Sequence, residues 1–365
     1  MTNTRIPYGR QSLDEEDLAA VRRVMQGDWL TQGPAVPEFE EAVADLVGSK
    51  FAVAFSSGTA ALHGAAFAGG IGPGDVIATT PLTFIASLNC IRYVGAQPTL
   101  VDIDPETFNI DIERVPEDIS GLVAVHYAGL PVDLRKLRSP LRVVIEDAAH
   151  SLGASTPYGP VGNCALSDVV VFSFHPVKPI TTGEGGIATT NSAELAASLK
   201  RFRNHGISPE PQRGAWCYEV TELGYNYRMT DIQAALGLSQ LGKLQGFVKR
   251  RNEIADRYRT LLADLPVVLP PEPDFGFRHG YHLFPVRVQD RRKVFDGLRS
   301  SGIDVQVHYV PMHHHPVNQD LGFRAGDLPV CDAIYEELIS LPIFPALTEV
   351  QQDRVVETLA GLVSS

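Results

Sequence analysis

The sequence has few cysteines, no long apolar run and no cluster of basic residues. Thirty-one basic against 43 acidic residues give a formal net charge of −12, so we expect neither nucleic acid nor an anionic membrane as a partner. No apolar run approaches the roughly 18 residues of a membrane span, and the N-terminus lacks the apolar stretch of a signal peptide. We therefore expect a cytoplasmic protein. Its four cysteines lack CxxC spacing, which argues against a disulfide framework and a zinc knuckle: Cys90, Cys164, Cys217 and Cys331.

Short β-branched runs alternate with Ala-rich amphipathic stretches over the first two-thirds of the chain. The runs FAVAF, DVIATT and RVVIED each lead into Gly or Ser and then into a helical pattern. This alternation is typical of βα units around a mostly parallel sheet, so we predict an α/β fold with helices flanking the sheet. Ligands of such sheets bind at the carboxyl ends of the strands.

The pattern changes from about Asp231 onwards. A long helical pattern is followed by the Pro-rich segment PVVLPPEPDFG, which resembles a hinge into a second unit. That unit contains the apolar runs YHLFPVRV and GIDVQVHYV and a C-terminal helix. We predict a large domain with an N-terminal arm over residues 1–240 and a smaller α+β domain over residues 241–365.

Three groups of polar residues follow predicted strands. Ser57, Gly58 and Thr59 open a helix after FAVAF, and free N–H groups at a helix start suit a phosphate, although a Ser or Thr there is also an ordinary N-cap. Asp147 ends a buried strand three residues before His150. A carboxylate in that position needs a cationic or hydrogen-bonding partner, which a ligand or an arginine of the protein could supply.

The third group is a lysine in the segment VVVFSFHPVKPITTGEGGIATT. Most lysines are solvated surface charges, but Lys178 follows a strand and lies between Pro176 and Pro179, which restrict the backbone. A lysine held at a strand end and partly desolvated suits Schiff-base chemistry. A phosphate site, a carboxylate for a pyridine nitrogen and a lysine for an aldehyde together indicate pyridoxal 5′-phosphate (PLP) as the cofactor, cycling through pyridoxamine 5′-phosphate.

Four segments carry a resemblance to a known family: SSGTAAL, IEDAAHS, SFHPVKPITTGEGG and ELGYNYRMTDIQAALGLSQL. In order and spacing they resemble the DegT/DnrJ/EryC1/StrS nucleotide-sugar aminotransferases, which are PLP enzymes of fold type I. The resemblance implies that Lys178 binds the cofactor covalently, that Asp147 pairs with its pyridine nitrogen, that His150 lies near its ring oxygen and that Phe84 stacks on its ring. A core aromatic is the alternative for Phe84, but it fits less well beside a strand end.

The same resemblance implies the remaining cofactor contacts and a shared active site. The phosphate-binding positions correspond to Ser57, Gly58, Thr59 and Ser173. Asn226 corresponds to an asparagine that reaches the phosphate of the neighbouring subunit's cofactor, which implies a homodimer. The sugar-nucleotide pocket would include Tyr8, Trp29, Leu30, Thr31, His308, Tyr309 and His313. A packed N-terminal arm is the alternative for Trp29 and Leu30.

The histidine run at 313–315 raises the question of a metal site. Three consecutive side chains do not easily converge on one ion, and no nearby carboxylate follows a known ligand spacing, so we predict no metal. Four further segments resemble the family branch that aminates a UDP-linked sugar on the way to pseudaminic acid: IPYGRQSLDEEDLAAV, DWLTQGPAVPEFE, VQVHYVPMHHHP and LISLPIFPALT. Gly183 and the histidine run depart from that branch and leave the sugar open.

The resemblance implies transfer of an amino group from L-glutamate to the C4 keto group of a nucleotide-linked 4-keto-6-deoxy sugar. UDP-2-acetamido-2,6-dideoxy-4-hexulose is the first candidate acceptor, and a dTDP- or GDP-linked hexose is the alternative. Other family members carry histidine at the position of the lysine and dehydrate sugars. In this sequence Lys178 occupies that position and His175 lies before it, so we expect transamination. A PLP-dependent dehydratase and a regulator that binds PLP without catalysis are the further alternatives.

Overall fold

The computed structural model describes residues 5–324 and 326–364. Its strands are β1 (Phe51–Phe55), β2 (Val76–Thr79), β3 (Gln97–Leu100), β4 (Gly121–Val125), β5 (Val143–Asp147), β6 (Ser155–Thr156), β7 (Gly159–Pro160), β8 (Val169–Ser173), β9 (Gly186–Thr190), β10 (Ile207–Pro209), β11 (Tyr218–Val220), β12 (Val267–Val268), β13 (Phe284–Val288) and β14 (Leu338–Leu341). Its α-helices are α1 (Glu15–Met25), α2 (Ala35–Val47), α3 (Gly58–Ala68), α4 (Ala86–Tyr93), α5 (Ala193–Phe202), α6 (Asp231–Leu241), α7 (Leu244–Leu262), α8 (Arg291–Ser300), α9 (Pro329–Glu337) and α10 (Glu349–Val363).

The central sheet has seven strands in the order β1-β9-β8-β5-β4-β2-β3. Strand β9 is antiparallel to both of its neighbours, whereas the pairs from β8 to β3 are all parallel. The sheet is therefore mostly parallel and flanked by helices, as the sequence pattern predicted. This arrangement agrees with the fold that the resemblance implies.

Alternation along the strands provides two apolar faces. Val53 and Val171 point to the side covered by α3, α4 and α5, whereas Ala54 and Phe172 point to the side covered by α2, α6 and the start of α7. Both faces are buried, which explains why most residues of the strands are apolar. The polar residues of the strands are consequently concentrated where the strands end.

The C-terminal part contains a three-stranded antiparallel sheet, β12-β13-β14, with α8 and α10 packed against it. Two helices, α6 and α7, replace the single long helical pattern expected from residue 231, because the chain breaks at Gly242 and Lys243. The start of α7 packs on the large sheet and its second half packs on the small one. The domain bounds 1–240 and 241–365 stay a prediction, and we propose that α7 joins the two units.

Across residues 5–324 and 326–364, no helix combines the length and the apolar character needed to cross a lipid bilayer.

Candidate active site

A cavity of about 660 Å³ lies at the carboxyl ends of the parallel strands. Its wall is formed by the residues that follow β1, β2, β5 and β8, together with side chains from the C-terminal part of the chain. Eleven of the predicted site residues line it: Tyr8, Ser57, Gly58, Thr59, Phe84, Asp147, His150, Ser173, Lys178, His308 and Tyr309.

The start of α3 forms one end of the cavity. Ser57 is the N-cap of this helix, and its Oγ accepts a hydrogen bond of 3.1 Å from the N–H of Ala60. The first N–H groups of a helix have no acceptor within the helix, so those of Gly58 and Thr59 are available to a ligand. A Cβ on Gly58 would lie 2.9 Å from Cβ of Ser173, so only glycine lets α3 approach the end of β8 this closely. Ser57 is therefore the N-cap of α3, and this role is compatible with phosphate binding by the neighbouring N–H groups.

Asp147 is the last residue of β5 and is buried. Its Oδ2 accepts a hydrogen bond of 2.6 Å from Oγ of Ser87, and its Oδ1 accepts one of 3.2 Å from the N–H of Ala149. No arginine or lysine within the described residues forms an ion pair with it. The alternative of a salt bridge to the protein's own arginine is therefore wrong, and a cationic ligand can still approach the carboxylate.

Lys178 lies in the loop between β8 and β9. Its N–H donates a 2.9 Å hydrogen bond to the carbonyl of His175, which closes a turn within this loop. Burial lowers the pKa of Lys178 from 10.5 to about 8, and the nearby carboxylate of Asp147 opposes that shift. A substantial fraction of the amine is therefore neutral near physiological pH, as a nucleophile or a general base requires.

His150 connects the strand-end residues to the C-terminal part of the chain. Its Nε2 lies 3.1 Å from the hydroxyl of Tyr309, and its ring centroid lies 4.4 Å from that of His282. Nδ1 of His150 is buried and has no hydrogen-bond partner. Burial, with a smaller contribution from the charge on Lys178, holds the pKa of His150 well below its usual value, so this imidazole is neutral.

Tyr8, Phe84 and His308 complete the cavity. The ring of Phe84 is 54% exposed and lies 5.9 Å from that of Tyr309, so it is available for stacking and is not a core aromatic. His308 lies 5.5 Å from the ring of Tyr8, and its Nδ1 is 2.9 Å from Oγ of Ser340. Burial lowers the pKa of His308 to about 3.

Four predicted site residues lie outside this cavity on the surface of the single chain. Trp29 and Leu30 are 59% and 51% exposed, and the carbonyl of Leu30 accepts a hydrogen bond from the N–H of Asp231. Thr31 and Asn226 form isolated β-bridges to Thr230 and Asn204, respectively. Their roles in substrate and cofactor binding stay predictions.

His313 also lies outside the cavity. Its Nε2 and that of His314 lie 2.8 and 2.9 Å from the same oxygen, Oδ1 of Asp332. Two of the three histidines therefore meet at one carboxylate, which α9 brings from 18 residues beyond His314 and which no ligand spacing in the sequence indicated. Two N–H donors on one carboxylate oxygen account for this contact without an ion, and the substrate role of His313 stays a prediction.

Ser87 and His282 are among the lining or supporting residues that were not predicted from the sequence. Ser87 holds the carboxylate of Asp147 from α4, and its own Oγ also lies 2.7 Å from Oγ1 of Thr83. His282 lines the cavity from the segment before β13. No local pattern identified Ser87. The motif YHLF contained His282 next to the start of a predicted strand, which is the one signal that pointed to it.

The residues present fit PLP. The carboxylate, the amine with its lowered pKa and the helix start beside Ser173 border one cavity, and each matches a different part of that molecule. The buried Nδ1 of His150, which lacks a protein partner, adds a polar atom beside the same cavity. These are the groups needed for a pyridine nitrogen, an aldehyde and a phosphate.

Comparisons with known proteins agree with this geometry. The profile of the DegT/DnrJ/EryC1/StrS aminotransferase family matches residues 11–360. The spore coat polysaccharide biosynthesis protein SpsC of Bacillus subtilis is 35% identical, with 99% of this chain and 98% of that protein covered. The solved structure of Helicobacter pylori PseC, an aminotransferase involved in the biosynthesis of pseudoaminic acid, matches with a TM-score of 0.91 at 31% identity, covering 99% of this chain and 100% of that one. The putative sugar aminotransferase Spr1654 from Streptococcus pneumoniae in its PMP form matches with a TM-score of 0.93 at 28% identity, covering 98% and 99%. The chain belongs to the DegT/DnrJ/EryC1/StrS aminotransferase family and is a transaminase that uses pyridoxal phosphate.

Proposed function

We propose that this enzyme transfers the amino group of L-glutamate to the C4 keto group of a nucleotide-linked 4-keto-6-deoxy sugar. The observation that carries the proposal is the convergence of Lys178, Asp147 and the start of α3 on one cavity. The sugar class is supported by SpsC, a spore coat polysaccharide biosynthesis protein, and by PseC, an aminotransferase involved in the biosynthesis of pseudoaminic acid. UDP-2-acetamido-2,6-dideoxy-4-hexulose is the first candidate acceptor, in line with the match to PseC. A dTDP- or GDP-linked sugar is the second.

In this proposal Lys178 is both the attachment point and the proton carrier. Bound PLP supplies an aldehyde that condenses with amines and a ring that accepts an electron pair from the α-carbon of the donor. Once the amine of glutamate has displaced it, the neutral Nζ of Lys178 would take the α-proton of glutamate and return it two bonds away, to the carbon of the cofactor that carried the aldehyde, and water would then release 2-oxoglutarate. The same Nζ acts in the opposite direction on the keto sugar. The two half-reactions predict ping-pong kinetics.

Asp147 and the start of α3 would fix the position of the cofactor in the cavity. The hydrogen bonds from Ser87 and Ala149 orient the carboxylate of Asp147, which forms no ion pair with an arginine or a lysine among the described residues. The negative charge of this carboxylate favours a protonated pyridine nitrogen. The hydroxyl of Ser173 and the N–H groups at the start of α3 hold the phosphate. The neutral imidazole of His150 serves as a hydrogen-bonding group beside the ring oxygen.

We also propose that the working enzyme is a homodimer in which Asn226 serves the neighbouring site. Asn226 is exposed and lies outside the cavity. The nearby hairpin of β10 and β11 and the segment after it present apolar side chains, with Trp216 82% and Leu223 86% exposed. A second copy of the chain would cover such a surface.

The dimer can be tested by subunit complementation. Each of the variants Lys178→Ala and Asn226→Ala is expected to be impaired alone. After unfolding and refolding them together, the mixed dimers should regain activity, because one of their two sites then carries neither substitution. Recovery no greater than the sum of the separate variants would contradict a shared site, whereas either variant refolded alone is the control.

The substrate is tested with the pyridoxamine phosphate form of the enzyme. It is mixed with UDP-, dTDP- and GDP-linked 4-keto-6-deoxy sugars, and the return of the PLP absorbance is followed. Rapid return with the UDP-linked N-acetylated sugar alone supports the first candidate. Return only with a dTDP- or GDP-linked sugar transfers the assignment to the second, and no return with any of them contradicts the sugar class. Stoichiometric 2-oxoglutarate from glutamate excludes the dehydratase and the regulator.

A further inference from the structure

His282 is a buried cavity residue for which the proposed chemistry has no use so far. Its side chain belongs to a segment that is fixed on both sides: Gly280 and Leu283 donate hydrogen bonds of 2.9 and 3.2 Å to the carbonyls of Gly129 and Ala128. The guanidinium of Arg251 donates to the carbonyl of His282 at 3.4 Å. The backbone of His282 is therefore anchored to the large domain and to α7 alike.

The ring of His282 lies against that of His150. The two centroids are 4.4 Å apart and the planes are inclined by 43°. Only 4% of His282 and 5% of His150 are exposed, so neither ring has room to turn freely. The close approach depends on Gly129, where φ is +103° and a Cβ would lie 2.7 Å from the carbonyl oxygen of His150 and 3.2 Å from the N–H nitrogen of His282.

The hydrogen bonds of His150 alone do not hold its ring. Nε2 has one partner, the hydroxyl of Tyr309, and Nδ1 has none. A single hydrogen bond leaves an imidazole free to pivot, so the remaining constraint on the plane of His150 comes from the rings packed against it, that of His282 at 4.4 Å and, at a greater distance, that of Tyr309 at 6.1 Å. Nδ1 of His282 is likewise buried without a partner, so this histidine is not kept in place by a hydrogen bond of its own at that atom.

We propose that His282 is a positioning residue that acts through His150. It holds the imidazole of His150 in the plane that keeps one nitrogen on Tyr309 and presents the ring to the cofactor. The inference rests on the proposed role of His150 beside the ring oxygen of PLP. The other titratable groups near the two rings are Tyr309, Lys178, His308, His126, His279 and Arg251.

The test is a pH titration of the absorbance of bound PLP in the holoenzyme. A hydrogen-bond donor on the ring oxygen of PLP stabilises the negative charge of that oxygen. The proton on the nitrogen that joins Lys178 to the cofactor is then lost at lower pH. In His282→Ala the imidazole of His150 can change its plane, and its hydrogen bond to the ring oxygen of PLP weakens. We expect the titration midpoint to move to higher pH by about one unit, with a rise in the dissociation constant of PLP of roughly tenfold, on the order of 1.4 kcal/mol.

A matched control is available three residues earlier. His279 is also a buried histidine of the same segment, with Nδ1 accepting a 2.8 Å hydrogen bond from the N–H of Tyr281, but it does not line the cavity. His279→Ala should lower the thermal stability without moving the absorbance midpoint. If His282→Ala behaves in the same way, its role is structural only and the proposal is wrong.

A double-substitution cycle separates an action through His150 from a direct one. In the background His150→Gln, the further change His282→Ala should leave the midpoint where His150→Gln alone put it. A full additional shift in that background would mean that His282 acts on the cofactor directly and would overturn the proposal. A failure of the proposed function is visible separately, because the unsubstituted enzyme would then yield no amino sugar although its PLP absorbance titrates.

Discussion

The two walls of the cavity are built differently. On the large-domain wall, the polar side chains have close protein partners: both carboxylate oxygens of Asp147 accept hydrogen bonds, and Ser57 caps α3. On the opposite wall, which the C-terminal part of the chain supplies, Nδ1 of His282 has no hydrogen-bond partner, and its ring packs against that of His150 from the large domain. Polar side chains that already have hydrogen-bond partners in the protein are held in fixed positions before a ligand binds. Polar side chains that lack such partners can gain hydrogen bonds when a ligand binds.

The two walls have different functions. The large-domain wall carries the charged groups, Asp147 and Lys178, and so controls the chemistry of the cofactor. The opposite wall presents neutral imidazoles, because burial lowers the pKa of His282 and of His308. Substitutions on the large-domain wall should therefore have the larger effects.

The largest effect is expected from Lys178→Ala. Transamination should fall by more than roughly 10⁴-fold, because both covalent attachment of the cofactor and proton transfer are lost. The release of 2-oxoglutarate measures turnover, and circular dichroism checks that the fold is kept. Lys50→Ala, at an exposed lysine on the surface, is the control and should leave turnover unchanged. More than a trace of activity in Lys178→Ala would contradict the assignment.

Asp147→Asn should have the next largest effect. An uncharged amide does not favour a protonated pyridine nitrogen, so we expect proton abstraction from glutamate to slow by about 10²- to 10³-fold. Single-turnover absorbance changes measure that step in enzyme that is saturated with PLP. The control is Asp75→Asn, which removes a carboxylate at the amino ends of the strands, where it pairs with Arg142. An unchanged rate in Asp147→Asn with bound cofactor would exclude the electronic role.

Gly58→Ala tests how closely α3 and β8 must approach. The added methyl group would lie 2.9 Å from Cβ of Ser173, so the two elements must separate. We expect a loss of about 1–3 kcal/mol in stability and weaker PLP binding. Gly246→Ala is the matched control, because that glycine lies within α7 with no atom within 4 Å of the added group, and it should be neutral or slightly stabilising. Equal PLP affinity in the two variants would show that the close approach is unimportant.

The smallest effect concerns pH. Only the neutral amine of Lys178 attacks an aldehyde, so the rate of PLP capture by the apoprotein should rise with pH and level off above about 8, the value to which burial lowers the pKa, instead of near 10.5. Because the carboxylate of Asp147 raises the pKa of this lysine, Asp147→Asn should move the midpoint to lower pH. Stopped-flow absorbance gives the profile. A midpoint near 10 would mean that the amine is solvated.

The large-domain wall could be predicted from the sequence because each of its motifs is local. Ser57 to Thr59, Asp147 with His150, and Lys178 each follow a short apolar strand, and parallel strands bring their carboxyl ends to one edge. Ser87 could not be predicted, since a serine within a helical pattern shows no sign of the carboxylate 60 residues away that it contacts.

What the sequence by itself determined is the order of strands and helices, the three motifs at the strand ends and, through them, the family and the cofactor. Only the tertiary structure decided which distant segments complete the cavity: Tyr8 from the N-terminal segment, and His282 and Tyr309 from the C-terminal part. It likewise decided that the imidazole of His282 lies against that of His150 and that Asp332 joins His313 and His314. The physical reason is that periodicity and local spacing encode which face of an element is buried, whereas contacts between distant segments depend on how the elements pack.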